Sequence, residues 1–536
     1  MRGTLLLGLL VLAAAARGDE GLESRIVEVL KTPGFQDGHW GLLIVDAASG
    51  RTLYERNAGQ LFCPASVTKL YSTAAALVDL GAEHRFQTPV VRRGEVDAEG
   101  TLRGDLVLIA QGDLCLGGRT GPDGTLLFDD HDHTYAGGNF DTGLIPTDPL
   151  AGLDHLAREI KAAGINAVRG DVLVDDRLFE PAPSTGSGPS RLSPIMINDN
   201  VIDVVATPAD KAGMPAHVRI IPATDFVTME AEVDTVEADN SPRLTVRAVG
   251  PRRFTVRGRL PLGHKPVVKI YEVEEPASFA RALFVTALRR RGVRVEAAAI
   301  GRNDAEHLPP RSDVSRLPKV AEYTSPPFRE YVRVILKVSH NLHASTLPLL
   351  IAAHHGETTL QAGLKREGTI LKGLGVDVST ISFGGGAGGA RSDLVTPRST
   401  VALLRAMAAR PEFRAYDDAL PVLGRDGTLA KAVSSDSPAR GHVRAKTGTY
   451  TLANDLLGRT VLAAKALAGY METASGRPLV ITFFVNNVPL EADGDQVSEA
   501  TAAVGRLLGR LCEVVYLHDA PSGSKPNASE PRKAAN

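Results

Sequence analysis

The chain has 536 residues, is 43% hydrophobic and 23% charged, and carries a formal net charge of -2. That is a globular composition with room for two or three domains, and its near-neutral charge argues against a global field for nucleic acid or an acidic membrane surface. Three cysteines without a C-x-x-C spacing argue against a disulfide scaffold and a cysteine-built structural zinc site.

In chain order, Arg2 precedes an apolar run over 4–16 that is too short to span a bilayer, and Ala14-Ala15-Ala16 offers an A-x-A cleavage site. Residues 1–18 therefore read as a secretory signal peptide. No cysteine follows to take a lipid, and no later run of about 18 apolar residues follows to anchor the mature chain. The expected location is exported: periplasmic or otherwise extracytoplasmic. Residues 39–62 read as strand, turn and strand, with Ser49-Gly50 at the turn. Pro64 then opens a helix whose Val67, Leu70, Ala74, Leu77 and Val78 share one face, and Gly81 closes it. Residues 89–305 change character: strand-like pieces such as "LRGDLVLIAQGD", "VRGDVLVDD", "NVIDVVATP", "HVRIIP", "RLTVRAV" and "VVKIYEV" alternate with turns. Helical patterns there cover 149–164 and 277–292, and "PAPSTGSGPS" at 181–190 reads as a loop or junction. Within this block "FDDHDHTY" carries Asp129, Asp130, His131, Asp132 and His133; with no helical or strand spacing to aim ligands, it reads as a solvated loop, not a metal site. Helical periodicity returns in "FREYVRVILKVSHNLHASTLPLLIAAHH", glycines crowd 384–389, strands recur near 442–450 and 479–488, and a last helix covers 494–513. The tail 518–536 is of low complexity. Strands at both ends of the chain predict one domain closed by both termini.

Ser66 and Lys69 lie three residues apart, on one helix face. A serine hydroxyl needs a base at neutral pH, and a lysine serves only when burial or a second cation depresses its pKa. Two further motifs follow in order: Ser339-His340-Asn341 at a helix–loop junction, and Lys446-Thr447-Gly448-Thr449 in the strand-like "HVRAKTGTY". S-x-x-K, S-x-N and K-T-G in this order form the active-serine signature of penicillin-binding proteins and β-lactamases. In this reading Ser66 attacks a carbonyl, and its own N–H and that of Thr449 receive the oxyanion. Lys446 attracts a substrate carboxylate and lowers the pKa of Lys69. Ser339 relays a proton to the leaving amine, and Asn341 holds Lys69 and a substrate amide. Gly448 leaves room for substrate along the strand, and the hydroxyls of Thr447 and Thr449 bind its terminal carboxylate.

With "PASVTKL", "GDLVLIAQGD", "NDNVIDVVATP", "SPPFREYVRVILKVSHNLHA", "LPVLGRDGTL", "AKTGTY" and "LAGY", the chain resembles the low-molecular-mass class C penicillin-binding proteins, the D-alanyl-D-alanine carboxypeptidase/endopeptidase family, over most of 38–515. That family places extra domains between its S-x-x-K and S-x-N motifs, as the long interval from Ser66 to Ser339 does here. The resemblance implies an α/β multidomain (α+β) chain: a penicillin-binding-protein/β-lactamase-like transpeptidase domain, with an antiparallel sheet flanked by helices and a helical subdomain, carrying β-rich inserted domains. The implied boundaries are 19–88 and 306–517 for the DD-peptidase domain, 89–182 and 263–305 for inserted domain II, and 183–262 for a nested domain III. It also implies hydrolysis of D-Ala–D-Ala bonds and cross-links in peptidoglycan stem peptides, covalent inhibition by β-lactams, and no cofactor or metal. Relatives read "DGSGLSR" where this chain reads "GGAGGAR", so Gly385 replaces an acid and Ala387 and Ala390 replace serines. Residues 118–148 and roughly 452–464 look like additions, the latter lengthening the connection that leaves the Lys446 strand. Two alternatives remain: a wall-binding protein that kept the fold but lost turnover, and a β-lactamase, which the long insert disfavours.

Overall fold

The computed structural model describes residues 21–137, 142–490 and 496–519. The signal peptide expected over 1–18 and most of the tail expected over 518–536 lie outside the described residues. The chain divides into two compact units: residues up to 71 with 371–384 and 388 onward, and residues 72–370 with 385–387.

The first unit is built on a five-stranded antiparallel sheet in which the two ends of the chain meet. Its spatial order is Val443–Asn454, Arg459–Glu472, Pro478–Leu490, His39–Asp46, Thr52–Arg56. Leu42 stands opposite Phe483 and Ile44 opposite Ile481, so the first strand's apolar run is enclosed by a late one. The helix Gln496–Tyr516 packs on this sheet through Val504, Leu507, Leu508, Leu511 and Val515, a stripe at helical spacing. Burial of each such side chain contributes roughly 1.5–3 kcal/mol. Residues expected as a longer connection at 452–464 instead extend two paired strands: Val443–Asn454 and Arg459–Glu472 form one long hairpin, and only the short turn at 455–458 is unpaired.

The second unit carries a six-stranded sheet around Gln87–Val96, Thr101–Ile109 and Lys319–Thr324. It also carries a three-stranded sheet of His217–Ile221, Val201–Thr207 and Val267–Glu272, and another of Thr228–Val236, Arg253–Pro261 and Arg243–Gly250. Helices Ala151–Ala162 and Pro276–Arg290 fall where the periodicity places them, and Leu153, Leu156, Ile160, Phe279, Leu283 and Phe284 enter its core. The expected helical run from 328 is two helices, Phe328–Lys337 and Asn341–His354, broken at Ser339, whose φ is +64°. Among the described residues no helix is long and apolar enough to cross a membrane.

Candidate active site

Ser66 sits in a tight turn. Ala65 has a φ of +45°, and a single 3-10 turn, Ala65–Val67, leads into the helix Thr68–Leu80. The α-helix thus starts at Thr68 and not at Pro64, and the nucleophile candidate follows backbone that an L-residue adopts only under constraint. Cys63 stays at this turn's entrance because Asn486 grips both its N–H, at 2.8 Å, and its C=O, at 3.1 Å. Burial pushes the Cys63 thiol up, away from nucleophilic use. All three cysteines are free thiols.

Lys69 Nζ donates to Ser66 Oγ across 2.9 Å. Lys69 is fully buried; this burial, and then the nearby Lys446 charge, hold its pKa well below the usual lysine range, while Asp393 pulls it upward. Lys446 is also fully buried, and burial pushes it down to about 7. A neutral Lys69 on the same 2.9 Å line can take the serine proton. Sequence reasoning missed Asp393. Burial pushes its carboxyl up to about 6, even though it accepts the N–H groups of Gly384 at 2.8 Å and Ala390 at 2.9 Å. The available signal was its place as the lone carboxylate in the stretch 382–397.

Lys446, Thr447, Gly448 and Thr449 lie on Val443–Asn454, the first strand of the sheet. Val443 C=O accepts from Leu423 N–H and Ala445 N–H donates to Pro421 C=O, so odd-numbered residues direct their backbone groups away from the neighbouring strand. The register holds to Tyr450, and Thr447 and Thr449 therefore aim their N–H and C=O at the open edge. Lys446 Nζ donates to Thr447 O at 2.8 Å, and the hydroxyls of Thr447 and Thr428 bond at 2.8 Å. Gly448 has a different physical reason from the one its motif suggests. A Cβ there would lie 2.4 Å from Pro64 O and 3.2 Å from the Cβ atoms of Ala65 and Ala466. Its bareness admits the Ser66 turn against the strand, so the room is filled by protein.

Ser339 and Asn341 belong to the other unit, where the inserted residues hold them. Tyr135 Oη donates to Ser339 O at 2.5 Å. Asn341 Nδ2 donates to Ser187 O at 3.0 Å. His340 caps the helix Asn341–His354 by accepting His343 N–H on Nδ1. Its Nε2 lies 3.2 Å from Arg119 Nη2, 3.5 Å from Asp199 Oδ1 and 3.7 Å from Asp132 Oδ1. Arg119 also bridges Asp132 at 2.8 Å and Asp199 at 2.6 Å, and His133 bridges Asp199 at 2.8 Å and Asp203 at 2.7 Å. The stretch expected as a solvated loop thus buries Asp132 and His133. Their partners come from distant segments, which a reading of local spacing does not see. Burial alone would lower the pKa of His133, but the charge of Asp203, together with the hydrogen bonds His133 donates to Asp199 and Asp203, holds it well above the usual value. His343, pushed down to about 4 by burial and then by His340, donates from Nε2 to Asp199 Oδ1 at 2.6 Å.

Asp199, His340 and His343 bring metal-ligand atom types within 4.8 Å of one another. Their geometry does not suit an ion. The two imidazoles stack with centroids 3.7 Å apart and planes 20° from parallel, so no point between them lies in both ring planes. The Arg119 guanidinium already supplies positive charge at both carboxylates. The His354-His355 pair also gains an acid the sequence did not reveal: Asp79 bonds them at 2.9 and 2.8 Å, on the surface.

The glycine-rich segment is close-packed backbone. A Cβ on Gly386 would lie 2.1 Å from Ala344 O, one on Gly388 1.9 Å from Ala65 O, and one on Gly385 2.9 Å from Thr185 Cγ2. In this chain Thr185 occupies the space where the family pattern puts an acidic side chain.

Residues 22–509 match the D-Ala-D-Ala carboxypeptidase 3 (S13) family. A D-alanyl-D-alanine carboxypeptidase of Actinomadura sp. (strain R39) is 30% identical over 541 residues, covering 96% of this chain and 88% of that protein. The D-alanyl-D-alanine carboxypeptidase DacB of Haemophilus influenzae is 21% identical, covering 83% and 85%. The crystal structure of penicillin binding protein 4 from Haemophilus influenzae superposes with a TM-score of 0.66 at 19% identity, over 92% of this chain and 99% of that one, which shows the penicillin-binding, β-lactamase-like fold. By the extent of the family match and the length of its shared sequence, the chain belongs to the D-Ala-D-Ala carboxypeptidase 3 (S13) family.

Proposed function

We propose that this chain is a serine-type D-alanyl-D-alanine carboxypeptidase in which Ser66 is the nucleophile and Lys69 its base. The observation that carries the reading is the 2.9 Å contact between Ser66 Oγ and a fully buried Lys69, whose positive form is disfavoured by burial and by Lys446. Ser66 attacks the carbonyl of the D-Ala–D-Ala bond while Lys69 accepts its proton. The oxyanion is received by the N–H of Ser66 and the edge-facing N–H of Thr449. Lys446 and the hydroxyls of Thr447 and Thr449 bind the terminal carboxylate, and substrate adds to the open strand edge. Ser339 passes the proton to the departing D-alanine and Asn341 holds the substrate amide; their support is the family motif. Water then cleaves the acyl-enzyme. The same chemistry extends to D-Ala cross-links, and a β-lactam acylates the same serine.

Export to the cell wall compartment is supported by the leader-like residues 1–18. The β-rich block between 89 and 305 is read as the family's inserted domains. The intact Ser66–Lys69 pair favours turnover over a silent binder.

A fluorescent penicillin tests the assignment. Wild type should form an adduct that survives denaturing electrophoresis, and Ser66→Ala should form none. An equal adduct on Ser66→Ala, or none on wild type, would refute the nucleophile. Release of D-alanine from diacetyl-Lys-D-Ala-D-Ala then shows the carboxypeptidase, whereas rapid penicillin turnover would point to a β-lactamase.

A further inference from the structure

We infer that the inserted residues act as a clamp that positions the Ser339-His340-Asn341 turn, with Tyr135 and Arg119 as its chief members. The inference rests on the reading of that turn as part of the catalytic site.

The turn needs holding. Ser339 interrupts a helical pattern at φ +64°, a conformation that costs an L-residue roughly 1–2 kcal/mol. The preceding helix contributes one contact, from the His340 N–H to Ile335 O at 3.1 Å, which closes the helix end. The insert adds a contact at each of the three residues. Tyr135 Oη fixes the Ser339 carbonyl at 2.5 Å, and thereby the peptide plane that orients the Ser339 side chain. Arg119 and Asp199 enclose the His340 ring, at 3.2 and 3.5 Å, with zero exposure of that ring. Ser187 O accepts from Asn341 Nδ2 at 3.0 Å.

The clamp is itself braced. Asp199 belongs to a run of three left-handed residues, Asn198, Asp199 and Asn200, with φ of 53°, 51° and 55°. Its two oxygens are shared among Arg119, His133 and His343. Asp132 accepts the N–H and hydroxyl of Thr134 at 3.1 and 2.8 Å, which places Tyr135 one residue on. Removing Arg119 would leave two buried carboxylates short of a cation, so the arrangement is all-or-none. His340 is thereby explained: at the middle of S-x-N it works inward as a helix cap and a wedge, and it does not act on substrate. Tyr135, Arg119, Asp199 and His340 are positioning residues.

Tyr135→Phe removes one hydroxyl and keeps the ring, and His340→Asn keeps a cap but withdraws the wedge. For both, peptide kcat and KM, the acylation rate by penicillin and the melting temperature are measured on the full chain. A positioning role predicts that Tyr135→Phe lowers kcat and the acylation rate about tenfold, with KM within twofold and an unchanged melting temperature, while Ser66 still labels to completion. Both variants within twofold of wild type in kcat, with wild type labelled by penicillin, would overturn the clamp and leave the nucleophile assignment standing. Wild type unlabelled would overturn both. Equal losses in kcat and melting temperature in both variants would overturn positioning in favour of mere stability. A stoichiometric metal in the purified protein, whose chelation abolishes the kcat, would overturn Arg119 as the resident cation.

Discussion

Gly448→Ala offers the sharpest test of how the strand and the Ser66 turn are fitted together. The new methyl would sit 2.4 Å from Pro64 O, about 1 Å inside ordinary van der Waals contact. It has no escape sideways, because Ala65 Cβ and Ala466 Cβ each stand 3.2 Å away. The turn and the strand must therefore separate by several tenths of an ångström to about 1 Å, at a cost of roughly 1–3 kcal/mol in stability. The same separation moves Ser66 relative to the edge-facing N–H of Thr449. A misplacement of about 1 Å in reacting groups costs on the order of a hundredfold in rate, close to 2.7 kcal/mol of activation free energy. Stopped-flow acylation by a fluorescent penicillin, beside a thermal melt, reads both quantities. The expected outcome is a folded protein, modestly destabilised, that labels about a hundredfold more slowly. Acylation at the wild-type rate would refute the claim that Gly448 exists for this close approach.

The acylation rate should fall with decreasing pH as Lys69 gains its proton. Lys446→Met removes a charge that depresses the Lys69 pKa, so this acidic limb should move to higher pH; Asp393→Asn removes the carboxylate that raises it, so the limb should move to lower pH. Shifts of the same sign in both variants would contradict the electrostatic arrangement. Lys69→Met should cut acylation by about 10²–10⁴ while leaving Ser66 in place, measured by the same fluorescent label. Reducing agent should leave the melting temperature unchanged, since all three thiols are free; a loss on reduction would reveal a disulfide. Leu456→Ser at the tip of the long hairpin, where the side chain is 89% exposed, should alter stability by no more than about 0.5 kcal/mol in a denaturant melt.

The Lys446 strand and the Ser66 helix were legible because each couples a local pattern to a motif: "VTKLYSTAAAL" has helical periodicity, and "HVRAKTGTY" is bounded by turns. The sheet that joins both chain ends was legible for the same reason. Thr228–Val236 was not read as a strand, although Met229, Ala231 and Val233 alternate with Glu230, Glu232 and Asp234; three acidic residues, poor strand formers, masked the alternation. Gln87–Val96 was hidden by Arg92-Arg93-Gly94, where Arg93 is paired with Asp105 of the next strand. The break at Ser339 left no trace in the helical periodicity, which runs through it; only the S-x-N motif placed a helix–loop junction there. Asp393 and the Arg119–Asp132–Asp199 network are assembled from segments far apart in the chain, and spacing rules reach only neighbours.

The open edge beside Thr447 and Thr449 has a cost to solubility. Unpaired strand backbone is the usual template on which chains add to one another and aggregate. If substrate adds to this edge as proposed, the template has to stay exposed. This strand limits it at one end and bends at the other. Val422 bridges Arg444 at one end, and the ladder shifts register between Tyr450 and Thr451 at the other.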